Sequence, residues 1–215
     1  MILWRGTEVV YLMYVEDSRV RQAVDRFEAA HLEDPRRVGS GENRLPWSLL
    51  YHQRLLYWVR QLSPDASEEL LLAASCQHIR RWTLPRDQYP QGRSGYRRWR
   101  KDLARFHADQ AAEILAELGY STSVYARVQE LVQKFRLKLD PEVQPFEDAI
   151  CLVFLENEFS DFAGKHERSK IQEILRKTWA KMSPAGHEAA QTVISGLTDA
   201  DRKLAMSALS DGPGV

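Results

Sequence analysis

Apolar residues recur at three- and four-residue spacings along most of this chain. Nowhere do they alternate with period two over a length that would build a buried sheet. That spacing marks helices with one buried face. Val20, Val24, Phe27 and Ala30 define one helix over residues 17–32, and Leu49, Leu56 and Val59 define another from about Trp47 to Gln61. A third follows Ser63-Pro64 and runs to about Trp82, with Pro64 suited to a first turn and Glu68-Glu69 to the positive end of the helix. Residues 96–118 keep the pattern up to Gly119, a residue that closes helices in the left-handed conformation. Ser121 opens the next helix, with Val124, Val128, Leu131, Val132 and Phe135 on one side. Pro141 precedes the most apolar helix, about 144–163. Shorter helices are predicted over 167–181, after Ser183-Pro184, and over 198–209. PRRVGSGENRLP and TLPRDQYPQGRSG, each with two Gly and two Pro, predict loops.

The expectation is an all-α chain with one helical domain over 17–210, an N-terminal extension (1–16) of no assigned role and a tail (211–215). With 215 residues, such a chain buries about 70% of its unfolded surface, so it needs neither disulfide nor metal to fold. A 44% hydrophobic fraction and a balance of 30 basic against 30 acidic side chains exclude disorder and a uniformly basic coat. Cys76 and Cys151 both fall in apolar helical runs, which points to reduced thiols and a cytoplasmic protein. No run of apolar residues is long enough for a membrane span. The opening MILWRGTEVVYLMYV is broken by Arg5 and Glu8 and lacks a basic start, so no signal peptide is expected.

Four polar residues lie on apolar helix faces. His52 shares its face with Leu49, Leu55, Leu56 and Val59. His78 follows Leu71 and Ala74 and precedes Trp82, while His107 has Leu103, Ala111 and Ile114 at matching offsets. Asp148 has Cys151, Leu152 and Leu155. A buried carboxylate is costly unless paired. Imidazole and carboxylate together suit a divalent metal such as manganese, iron, zinc or magnesium, so His52, His78, His107 and Asp148 form a candidate ligand set. In the alternative, each histidine is hydrogen-bonded within the core and Asp148 caps the helix after Pro145. Cys76 lies two residues from His78, about 200° around a helix, and is expected to pack rather than ligate.

The segments AASCQHIRRWTLPRDQYP, GYRRWRKDLARFHADQAAEILAELGY, FEDAICLVFLENEFSDFAGKH and KTWAKMSPAGHEAA resemble a bacterial and fungal family known as domain of unknown function 4202, over roughly residues 22–190. That family name implies no activity. More distantly, the layout is similar to the HD-domain superfamily of helical metal-dependent phosphohydrolases. His52 precedes His78 by 26 residues and Asp148 follows His78 by 70, and the run from His107 through Ala111 to Gly119 matches a further segment of that pattern. The resemblance implies an HD-like bundle with a metal-activated phosphohydrolase site. Ile79, however, stands where the superfamily has the Asp of its His-Asp doublet, and Glu147 or Cys151 competes with Asp148 for the last position. Lys181-Met182-Ser183 resembles a nucleotide-contacting signature of class I aminoacyl-tRNA synthetases. It has no His-rich partner motif and no parallel α/β domain to host it, so no synthetase activity is expected.

Charge is unevenly spread. Residues 80–105 carry nine basic side chains against Asp87 and Asp102, interleaved with Trp82, Tyr89, Tyr96 and Trp99. Guanidinium groups grip phosphate in pairs and aromatic rings stack on bases. Arg80, Arg81, Arg86, Arg97 and Arg98 are therefore candidate phosphate-binding residues. The expected ligand is a nucleotide or other phosphorylated small molecule, with RNA as an alternative partner. An HD-like phosphohydrolase leads over a non-catalytic binding module. A structural or regulatory partner protein is the third reading, and nothing in the sequence sets the oligomeric state.

Overall fold

The computed structural model describes residues 18–39 and 44–210; the extension 1–16 and the tail 211–215 lie outside the described residues. The all-α expectation holds. The helices are α1 (Ser18–Leu32), α2 (Trp47–Leu62), α3 (Glu68–Cys76), α4 (Gly92–Glu117), α5 (Thr122–Val132), α6 (Val143–Asn157), α7 (Phe159–Ala163), α8 (Arg168–Trp179), α9 (Pro184–Ser195) and α10 (Asp199–Ser210). Short 3-10 turns at Arg81–Thr83 and Arg86–Gln88 bridge α3 to α4. The loop predicted between α1 and α2 contains a two-residue antiparallel ladder, β1 (Arg37–Val38) on β2 (Leu45–Pro46).

Packing follows a chain of neighbours. α4 lies on α5, α5 on α3, α3 on α2, α2 on α6 and α6 on α9, while α1 leans across α2, α3 and α4. α3 is central because it is apolar all round, with Leu70 through Cys76 entirely buried. Its start differs from the sequence expectation. The first turn is opened by Ser67, whose Oγ accepts from the Leu70 amide at 3.1 Å, rather than by Pro64. One hydrophobic core extends from Val20 to Ala208. No helix among the described residues is long and apolar enough to cross a membrane.

Three further boundaries depart from the sequence pattern, each for a local reason. α3 stops at Cys76 instead of reaching Trp82, because the His78 amide donates to the ring of His52 (3.0 Å) and Arg80 takes a left-handed conformation (φ 49°). α4 begins at Gly92, four residues before the predicted start. A Cβ at Gly95 would come within 1.8 Å of the Pro90 carbonyl oxygen, so only glycine lets the incoming loop touch the helix there. The predicted 144–163 helix is two helices that part at Glu158, whose φ of −120° leaves the helical region.

α9 starts as expected, with Ser183 as cap and Pro184 in the first turn. The Ser183 cap is itself held by Asp148, whose carboxylate accepts from the Ser183 amide (2.9 Å), the Ser183 hydroxyl (2.5 Å) and the Gln144 amide group (3.0 Å). Asp148 thus does not cap its own helix; it fastens α6 to the start of α9. The close approach requires Gly186, where a Cβ would lie 2.6 Å from the Asp148 carboxyl carbon. Gly186→Ala should therefore destabilise the protein by about 1–3 kcal/mol in urea unfolding, since the carboxylate must leave its three donors to make room. Unchanged stability would show that α9 shifts freely against α6.

Candidate functional site

Four buried or partly buried imidazoles meet where α1, α2, α4 and the end of α3 converge. His31 and His52 stack face to face with ring centroids 3.7 Å apart, His52 and His78 lie 6.4 Å apart, and His78 and His107 lie 5.6 Å apart. The structure thus brings together His52, His78 and His107 and adds His31, which the sequence reading did not select. The signal for it was present: His31 follows Phe27 by four and Val24 by seven on the buried face of α1.

Backbone carbonyls fix the tautomers, because a carbonyl oxygen only accepts. His31 donates from Nε2 to Ser75 O at 2.8 Å, His52 from Nδ1 to Ser48 O at 2.5 Å, and His107 from Nδ1 to Ile79 O at 2.8 Å. The remaining nitrogen of each carries a lone pair. That of His52 accepts the His78 amide. Those of His31 (Nδ1) and His107 (Nε2), with His78 Nδ1 and the Tyr51 hydroxyl, find no hydrogen-bond partner among the described residues.

Burial keeps these rings uncharged. It lowers His31 to about 4 and His107 to about 3. Burial also holds His52 and His78 well below the ordinary range, with His31 adding to the effect on His52 and Arg81 and His107 adding to the effect on His78.

A cavity of about 100 Å³ opens beside His78 and His107 and is also lined by Gln77, Arg81, Arg100 and Lys134. Gln77 Oε1 is buried there without a partner among the described residues. Arg81 continues into a second, larger cavity of about 280 Å³, walled by Trp47, Trp82 and Trp99 and carrying Arg36 and Arg86 at its rim. Arg36 stacks over Trp47 at 3.5 Å and Arg81 lies over Trp99 at 5.1 Å. Trp47 and Tyr51 in turn reach His78, at 6.0 and 4.5 Å between ring centroids, so one aromatic wall joins the two cavities.

The remaining predicted residues are placed differently. Asp148 is engaged at the α6–α9 junction rather than with the histidines. Its neighbour Glu147 is 2% exposed and bridges Lys134 and Lys181. Burial pushes the Glu147 carboxyl up, but the two ammonium groups outweigh burial and hold it below the ordinary range. Ile79 is fully buried in the core.

The four-residue metal set therefore does not fit: His52 has both nitrogens committed, the Asp148 oxygens are taken and Ile79 offers no ligand. Among the described residues no three or more His, Cys, Asp or Glu side chains are grouped to hold a metal ion. Of the arginines, Arg81 lines both cavities and Arg86 only the outer one, where it also donates to the Tyr89 and Pro90 carbonyls. Arg80 donates to Gln110 and pairs with Glu33; Arg97 is exposed, and Arg98, also exposed, pairs with Asp102. Arg100, one turn further along α4, is the cation of that helix that reaches the inner cavity.

The family described as Domain of unknown function (DUF4202) matches residues 21–204 of the chain. Neither the curated proteins nor the solved structures give a match.

The neutral imidazoles make stability depend on pH with a definite sign. Above pH 6.5 a histidine is uncharged whether the chain is folded or not. Below it the unfolded chain takes up protons that His31 and His107 refuse until about 4 and about 3. Stability should therefore fall as pH drops from 6.5 to 4, by about 1.4 kcal/mol per pH unit for each such histidine. Urea titrations across that range measure the slope, and His31→Asn should flatten it. A flat wild-type profile would mean that the cluster accepts charge in place.

Proposed function

The chain belongs to the domain of unknown function 4202 family, and because that description carries no activity, we propose from the site itself that the protein binds a phosphorylated small molecule with a planar group, a nucleotide being the simplest example. The observation that carries this reading is the shared Arg81, which joins a small cationic cavity to a larger one lined by tryptophans. In the inner cavity Arg81 and Arg100 face each other as like charges, each adding to the downward pull on His78 and His107. An anion between them relieves that repulsion, and guanidinium groups suit phosphate oxygens. Trp47, Trp82 and Trp99 offer faces on which a base stacks.

Hydrolysis of the bound ester is the second reading, and one observation favours it. His107 is neutral, nearly fully buried and orients a free Nε2 lone pair beside the cationic cavity, as a proton acceptor near a phosphoryl group must. This is the role left open to an HD-like phosphohydrolase whose metal set has not assembled. RNA binding would draw instead on the exposed Arg97 and Arg98 of α4, which lie outside both cavities. A cytoplasmic setting belongs to the same proposal, supported by two free, buried cysteines whose thiols burial holds protonated.

Titration with a purine nucleoside monophosphate, followed by tryptophan fluorescence, tests the binding. Quenching should saturate, weaken with salt, and lose about tenfold or more in affinity in Arg81→Ala, the residue common to both cavities. Equal affinity in Arg81→Ala, or no saturation, would refute the site. Phosphate release from the same nucleotide, with and without added manganese, iron, zinc or magnesium, decides between turnover and binding alone.

A further inference from the structure

Two demands meet in the inner cavity, and most anions satisfy only one of them. Arg81, Arg100 and Lys134 present N–H groups and positive charge, and so call for acceptor oxygens. His107 presents the opposite. Its Nδ1 proton is committed to Ile79 O, so its Nε2 is a lone pair, 97% of the residue is buried, and that atom meets no donor among the described residues. Gln77 Oε1 and His78 Nδ1 stand unpartnered on the same cavity. A fully deprotonated tetrahedral anion would set an oxygen lone pair against the His107 lone pair and leave it unsatisfied, which costs affinity. Protonating His107 would cure this, but burial and the two arginines keep the ring neutral throughout the physiological range.

Resting on the phosphate reading above, we propose that the inner cavity selects an oxyanion that brings its own O–H: hydrogenphosphate, or a phosphate ester with a hydroxyl on the carbon neighbouring the ester carbon, donating that proton to His107 Nε2 while its bare oxygens face Arg81 and Arg100. The same rule turns away sulfate. At pH 8 hydrogenphosphate and sulfate are both tetrahedral dianions of similar size, and the O–H is what separates them. A simple monoester loses its last O–H near pH 6, at about the second phosphate ionisation. An ester ligand must therefore supply the donor from a neighbouring hydroxyl.

Competition at pH 8 and fixed ionic strength, read by tryptophan fluorescence or calorimetry on the full chain, tests this. The probes are inorganic phosphate, sulfate, a nucleoside 3′-phosphate with its adjacent 2′-hydroxyl, and the 2′-deoxy counterpart. Phosphate should bind at least about tenfold tighter than sulfate, since the rival leaves a buried acceptor unpaired. A matching preference for the ribonucleotide over its deoxy counterpart identifies the neighbouring hydroxyl as a source of the donor; equal binding of that pair identifies free hydrogenphosphate. His107→Gln, which can turn an N–H into the cavity, should narrow the gap between phosphate and sulfate. Equal binding of phosphate and sulfate by the wild-type protein would overturn the proposal and leave the oxyanion site standing. Binding of none of the four would remove both.

Discussion

The structure depends on the burial of uncharged imidazole. Four histidines from different parts of the chain share one buried space, with no carboxylate hydrogen-bonded to any of them among the described residues, and burial keeps each neutral. A neutral ring has one donor and one acceptor, and the donors of three are spent on main-chain carbonyls at Ser75, Ser48 and Ile79. Each bond ties an element to another or to its own preceding turn: α1 to α3, α2 to itself, and α4 to the segment after α3. The His52 acceptor then takes the His78 amide, a group that a continuing helix would have given to a carbonyl one turn back. The end of α3, and with it the turn that points Arg81 into the cavities, follows from where these rings sit.

The buried acids complement this arrangement by staying out of it. Asp34 accepts from the Arg36 amide and from both the amide and the hydroxyl of Ser48, pinning the loop before β1 to the first turn of α2. Asp148 performs the same task between α6 and α9, and Glu147 is neutralised by Lys134 and Lys181. With these carboxylates committed, the field at the inner cavity is set by Arg81 and Arg100 alongside rings that carry no charge. Such a field attracts anions and repels cations. The phosphate reading proposed above draws on this field.

Periodicity made the helices and their order legible, because a buried face leaves its spacing in the sequence whatever its partner. It also placed His52, His78 and His107 inward. Periodicity does not say where an inward side chain finds its hydrogen bond. Asp148 and the histidines looked alike on helical wheels, yet Asp148 belongs to Ser183, 35 residues later in the chain. His31 lies at the C-terminal end of α1, where a histidine also suits the helix dipole, so its position alone does not assign it to a cluster. Within the charge run from Arg80 to Arg105, Arg97, Arg98 and Arg100 are all exposed, yet of these three Arg100 is the one that also lines the inner cavity, a difference that position around the helix decides and composition does not. The helix ends at Cys76 and Gly92 were hidden for a related reason: a ring nitrogen and a carbonyl contact, both from distant residues or across a turn, set them.

Among the described residues, Arg80, Lys134, Arg136 and Lys138 take left-handed conformations without being glycine; Lys134 lines the inner cavity and Arg80 directly precedes Arg81, which also lines it. Arg80 and Lys134 both take left-handed conformations, with φ of 49° and 57°, in positions where glycine would cost nothing. Each carries a long cation, and each conformation delivers it to a definite place. Arg80 reaches Gln110 and Glu33, which lets the next residue, Arg81, turn back into the cavities. Lys134 both lines the inner cavity and pairs with buried Glu147. A strain of order 1–3 kcal/mol per residue persists only where the surroundings over-determine it. Here the surroundings do so from both sides: ion pairs and a hydrogen bond hold the side chains, and the ends of α3 and α5 hold the main chain. Relaxing either residue to the right-handed region would swing a cation away from the cavity wall. The fold thus accepts poor backbone geometry at two points beside the cavity, and at each the cation so placed makes an ion pair that offsets part of the cost.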